Sequence, residues 1–87
     1  MVVDIPPGTD RSEIERLVDE ERRYSHELQR AGTWIGLWRV VGRWANYSIF
    51  DVETSDQLHD ILTSLPLFPY LTIEVVPLAR HPSWLGD

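Results

Sequence analysis

Two runs rich in Trp, Val, Ile, Tyr and Phe, residues 33–41 and 44–52, flank a Gly42-Arg43 pair. β-Branched and aromatic residues suit a pleated surface, and glycine first in a two-residue turn suits a hairpin. A hairpin cannot bury its own apolar surface, so the rest of the chain has to cover it. The flanking segments read as helices. Asp10 is placed to cap the first, with Glu13 three residues on to complete a capping box. Ile14, Leu17, Val18, Tyr24 and Leu28 follow the three-and-four spacing of an amphipathic helix, and Gly32 stops it. Asp19 with Arg23, and Arg23 with Glu27, are i,i+4 pairs on its wet side.

After the hairpin, Thr54 and Gln57 form a second capping box. It opens a helix with apolar Leu58, Ile61, Leu62 and Leu65, ended by Pro66. Residues 1–5 read as a short first strand, stopped by Pro6-Pro7-Gly8. Residues 67–70 read as an apolar connector, 71–76 as the last strand, and Pro77 onward as a tail carrying His81 and Trp84. The order is strand–helix–strand–strand–helix–strand. It predicts an α+β, ferredoxin-like sandwich: one antiparallel sheet with both helices on one face. A single domain over residues 1–87 is expected, since the chain is too short for two useful cores. The arrangement hosts many activities, so function must be read from side chains.

Composition narrows the chemistry. Fourteen acids against eight bases leave a net charge of −6, which disfavours nucleic acid and anionic membrane surfaces as partners. An RNA-recognition domain shares the element order but needs basic residues beside its aromatics. No apolar run approaches the ~20 residues of a membrane span. No basic-then-apolar stretch opens the chain, so no signal peptide is expected and a cytoplasmic location is. Cysteine is absent, which excludes a thiolate nucleophile, disulfides and thiolate metal sites. All eight bases are Arg, which excludes a Schiff-base lysine and a P-loop. His26, His59 and His81 have no metal-ligand spacing, and no metal is expected. Carboxylates, imidazoles, hydroxyls and guanidiniums remain.

Glu21 stands out among them. It lies mid-stripe on the first helix, four residues after Leu17, three after Val18 and seven before Leu28. A carboxylate there must either find a guanidinium or take a raised pKa. A raised pKa is what a general base working near neutrality requires. A structural ion pair is the alternative.

The hairpin supplies a second group. A Gly42-Arg43 turn sets Arg39 opposite Asn46 and Leu37 opposite Ser48. One face then carries Ile35, Leu37, Arg39, Val41, Trp44, Asn46, Ser48 and Phe50, an apolar surface with an Arg–Asn–Ser island suited to a pocket. The other face carries Trp34, Trp38, Val40, Ala45, Tyr47 and Ile49 and has almost no polar groups, so it is expected to meet another subunit. Ordinary cross-strand pairing, or an Arg39–Glu74 ion pair, would also account for the island. His59 falls on the flank of the second helix, beside its apolar stripe.

Several segments carry a resemblance over nearly the whole chain. The densest are Ala45-Asn46-Tyr47-Ser48-Ile49-Phe50-Asp51-Val52 and Leu65-Pro66-Leu67-Phe68-Pro69-Tyr70. Others are Glu20-Glu21, Gly32-Thr33-Trp34, Leu37-Trp38-Arg39, Leu58-His59-Asp60 and His81-Pro82. Together they resemble the muconolactone isomerase family of aromatic degradation, which also includes a chloromuconolactone dehalogenase. Arg22 stands where family members often have Lys, and Trp44 and Gly36 where some have Tyr and His. Members typically begin several residues earlier, so the first strand is expected to be shortened here.

The resemblance implies a cofactor-free isomerase acting on a small lactone in the catechol branch of the β-ketoadipate pathway. It also implies assembly into a homo-oligomer, a decamer in the family. Under it, Glu21 is the base that returns the proton as an acid, and Arg39 holds the substrate carboxylate. Asn46 and Ser48, with His59, stabilise the oxyanion. The dehalogenase, or a non-catalytic ferredoxin-like binding module, is the alternative.

Overall fold

In the computed structural model, which describes residues 1–86, Asp10 starts the first helix as its position predicts. Its Oδ1 accepts a hydrogen bond from the Ser12 N–H at 2.9 Å, and α1 runs over Arg11–Arg30. Glu13, expected in the cap, is engaged instead by Arg16. A charged neighbour one turn on is a stronger partner than a backbone amide that water can serve. Arg16 also reaches Glu20 at 2.7 Å, and Asp19 takes Arg23 at 2.9 Å. These pairs are exposed and contribute little stability each.

Gly32 ends α1 at φ 75°. Its N–H donates to the Gln29 carbonyl at 3.1 Å, and the Thr33 N–H donates to that of Leu28 at 2.9 Å. This Schellman closure needs a left-handed residue, which glycine adopts without Cβ strain.

The hairpin strands are β2, Trp34–Arg39, and β3, Asn46–Phe50. Arg39 faces Asn46 and Leu37 faces Ser48, the predicted register. The turn itself differs. Val40 and Arg43 close it (N–H to carbonyl, 3.2 Å), and Val40 donates to the Ala45 carbonyl at 3.0 Å. The loop is therefore residues 41–44 rather than 42–43. Adding one residue to each side of a turn leaves the pairing parity unchanged.

A second difference does move side chains. The pairing slips between Trp34 and Gly36, so Trp34 meets Phe50. Such a bulge reverses the alternation at that point. Trp34, expected on the outer face, is instead buried on the helix side, while Ile35 is exposed. The Trp34 and Phe50 rings lie 4.8 Å apart. Trp34, Leu62 and Leu65 form the core, with Tyr24, Leu28, Phe50 and Leu58 packed around them.

The second helix, α2, covers Ser55–Thr63. Thr54 Oγ1 accepts from the Gln57 N–H at 3.0 Å, while Gln57 Oε1 reaches back to the Glu53 N–H at 2.9 Å, one residue before the cap. A single 3-10 turn, Phe68–Tyr70, follows where a connector was expected.

The outer strands are short. β1 is Val2–Val3 and β4 is Leu71–Thr72, antiparallel to each other. A bridge between Val2 and Ala45 joins this pair to the hairpin, with the Asn46 N–H on the Met1 carbonyl at 2.9 Å. The strand sequence across the molecule is β4–β1–β3–β2, antiparallel throughout. This is the ferredoxin-like α+β arrangement, with residues from both helices packed on the Trp34–Phe50 side. Among the described residues, no helix is long and apolar enough to cross a membrane.

Candidate active site

Glu21 is held where the first helix, the hairpin and the segment after α2 converge. Its carboxylate is half-buried, and its Oε1 accepts a hydrogen bond from the Leu67 backbone N–H at 3.2 Å. Burial pushes the Glu21 carboxyl above the ordinary carboxylate value, and the Leu67 N–H opposes that rise. Among the described residues no guanidinium pairs with Glu21: the ion pairs all lie along the exposed side of α1 and do not include it. The stripe therefore holds its acid by desolvation and one neutral donor, and not by a structural ion pair.

A cavity of about 310 Å³ opens beside this carboxylate. α1 contributes Glu21, Arg22 and Ser25. β2 contributes Trp34, Leu37 and Arg39, and Asn46 comes from β3. Trp44 closes one side and Leu67 another. The walls are mainly apolar, with one acid, two guanidiniums, one amide and one hydroxyl, as expected of a small-molecule site. A larger open depression of about 730 Å³ lies along α1, lined by Arg11, Glu15, Arg16 and Asp19. Its charged groups are spent on pairs within α1, so it offers little to a ligand.

Three of the residues singled out in the sequence, Glu21, Arg39 and Asn46, share the cavity. Ser48 stands behind it: its Oγ donates to Asn46 Oδ1 at 2.7 Å. With that oxygen occupied, the Asn46 amide has its N–H donors left to offer. Arg39 takes part in no ion pair among the described residues, and Glu74 lies exposed beyond β4.

His59 lies apart from these residues. It is exposed on α2 and does not line the cavity, because a flank position on that helix points along the surface. His81 lies in the tail, where its Nδ1 accepts from the Ser83 N–H at 3.0 Å.

Sequence reasoning missed several members of the cavity, Ser25, Trp34 and the Leu67 backbone among them, and Ala45, expected on the outer face, is buried and lines the cavity too. Ser25 is one turn after Glu21 on the same face of α1, so helical spacing could have found it. It is buried, and its Oγ donates to the Arg22 carbonyl at 2.9 Å. Trp34 was hidden by the bulge. The Leu67 contribution is a backbone N–H, which no residue type announces.

The muconolactone delta-isomerase family profile matches residues 1–84. A muconolactone delta-isomerase of Rhodococcus opacus is 51% identical over 83 residues, spanning 95% of this chain and 89% of its own. Muconolactone delta-isomerase 1 of Acinetobacter lwoffii is 51% identical over 87 residues, spanning 100% of this chain and 91% of its own. The crystal structure of a muconolactone isomerase superposes with a TM-score of 0.92 at 46% identity, covering 99% of this chain and 90% of that one.

Proposed function

The chain belongs to the muconolactone delta-isomerase family, and on that premise we propose how its cavity carries out the isomerisation. The protein is an isomerase. The reaction moves the lactone double bond of muconolactone to give 3-oxoadipate enol-lactone. The Glu21 carboxylate removes the proton from the ring carbon γ to the lactone carbonyl. The released pair forms the new double bond between the γ and β carbons. The former α,β π pair moves onto the α carbon and the carbonyl oxygen, giving a dienolate. Glu21, now the acid, returns the proton to the α carbon. Nothing is oxidised or reduced, and one carboxyl serves both steps.

Arg39 takes the substrate's carboxymethyl group as a two-pronged clamp. The Asn46 amide, held by Ser48, donates to the oxygen on which charge develops. The observation that carries this reading is a half-buried carboxylate of raised pKa sharing one cavity with the Arg39 guanidinium, which has no ion-pair partner among the described residues. The chain acts as one domain over residues 1–87, without a cofactor, on a small lactone in the cytoplasm.

Assembly into a homo-oligomer, a decamer as the resemblance implies, is part of the same proposal. Its support is the outer hairpin face, where Ile35 is 60%, Trp38 59% and Tyr47 75% exposed. The tail adds exposed Val75, Val76 and Leu78. Apolar surface of this extent is normally covered by a partner.

The test is incubation with muconolactone and, separately, with its 5-chloro analogue, followed by ultraviolet absorbance. Conversion of muconolactone to the enol-lactone supports the reading. Chloride release from the analogue with no isomerisation of muconolactone would assign the dehalogenase activity instead.

A further inference from the structure

The Glu21 cavity and the open depression along α1 are neighbours that share three lining residues, Val18, Arg22 and Trp44. These three form the threshold between the outer surface and the proposed base. Trp44 ends the hairpin loop, and its carbonyl accepts from the Val3 N–H at 3.0 Å, which ties that side of the threshold to β1. Arg22, on α1, is the cation common to both spaces. Arg39 lines only the Glu21 cavity, and Arg11 and Arg16 line only the depression.

Arg22 is only loosely engaged. Arg16 is held between Glu13 and Glu20, whereas Asp19 gives its short contact, 2.9 Å, to Arg23 and lies 3.6 Å from Arg22. The Arg22 side chain is 62% exposed, so a solute in the depression can reach it. The two carboxylates that face the depression, Glu15 and Asp19, each have an arginine beside them. A chain of net charge −6 repels an anionic substrate at long range, and a cation on the path of entry offsets that repulsion. We infer that Arg22 captures the carboxylate of the incoming lactone at this threshold and passes it to Arg39 in the Glu21 cavity.

The inference deepens the proposed function and rests on it. The two guanidiniums then have different tasks. Arg39 holds a bound carboxylate, where the planar fork counts. Arg22 meets a substrate that is still hydrated, where charge counts and fork geometry does not. The reach of such an exposed charge is about 10 Å at 0.1 M salt and shrinks as salt rises. The raised Glu21 value comes from burial, opposed by the Leu67 N–H, so removing Arg22 leaves the base as it is.

The experiment is steady-state kinetics of wild type, Arg22→Gln and Arg22→Lys on muconolactone, above the acidic limb, from about 0.01 M to about 1 M salt. Arg22→Gln is expected to lower kcat/KM about fivefold at the lowest salt, the effect of one unit charge at contact in water, with kcat unchanged. The gap should close as salt rises. Arg22→Lys keeps the charge and should match wild type throughout. A neutral ester of the substrate should show no gap at any salt. The capture role is overturned if there is no gap, if salt does not move it, if the ester shares it, or if Lys fails to restore it. A fall in kcat would overturn it as well, by placing Arg22 in the chemical step. In all these cases wild-type turnover of muconolactone leaves the proposed function standing. If wild type does not turn muconolactone over, the proposed function falls and this inference falls with it.

Discussion

The Glu21 carboxylate on α1 accepts a hydrogen bond from the backbone N–H of Leu67, 46 residues further along the chain, at 3.2 Å. The contact sets a balance. Burial favours the neutral acid, and the Leu67 amide favours the anion, with burial the larger influence. A fully buried, unaided carboxylate would stay protonated and could not act as a base. A fully solvated one would be too weak a base to remove a carbon-bound proton efficiently.

The first consequence is a pH profile. kcat/KM for muconolactone should rise with pH along an acidic limb as Glu21 ionises, with its midpoint above the ordinary carboxylate range. A limb at or below the value of a free glutamate would show that the titrating base is not the half-buried Glu21.

The second is turnover in Glu21→Gln, which keeps the shape and removes the base. It should lower kcat by about 10²–10⁴-fold. Exchange of the substrate's γ-proton with solvent should stop as well. Near-normal turnover would place the base elsewhere.

The same substitution has a stability signature with a definite sign. The folded-state pKa of Glu21 is raised, so the protonated form favours the native state. That contribution is complete below the unfolded value and is lost as pH rises through the folded one. At neutral pH the ionised carboxylate therefore weighs against folding, and Gln removes that burden. Glu21→Gln should have a Tm at or above wild type at pH 7, and the difference should fall as the solution is acidified. Thermal scans across that range would expose the opposite trend if the carboxylate were instead a stabilising ion-pair partner.

Arg39→Lys retains charge and loses the planar fork, and the two cations are not interchangeable at a carboxylate clamp. Because Arg39 has no protein carboxylate partner among the described residues, the substitution leaves no anion stranded. Catalysis of muconolactone should weaken by about 1–3 kcal/mol, the scale of a charge-assisted hydrogen bond. A neutral ester of the substrate should be affected much less. Equal losses on the two would make Arg39 a structural residue.

For assembly, light scattering at micromolar concentration should report a particle larger than a dimer. Replacing Trp38 and Tyr47 on the outer hairpin face by Ser should shift it toward smaller species. A monomer peak from the unaltered protein would remove the oligomer from the proposal.

Much of this protein is legible from residues close together in the chain. Asp10 and Thr54 cap their helices through side chains that reach two or three residues. Gly32 stops α1 because only its immediate neighbourhood matters. The Arg39–Asn46 register follows from turn parity, which survived a longer loop. Glu21 was conspicuous because helical periodicity alone puts a charge in an apolar stripe. What the tertiary structure decided depends on groups brought together from a distance. The bulge at Trp34 moves an indole from the outer face to the cavity, through a slip in strand pairing that alternation cannot foresee. His59 stays outside because the orientation of α2 is set by its packing against the core. The partner of Glu21 is a peptide N–H, a group every non-proline residue carries, so only the folded chain could select which one comes within 3.2 Å.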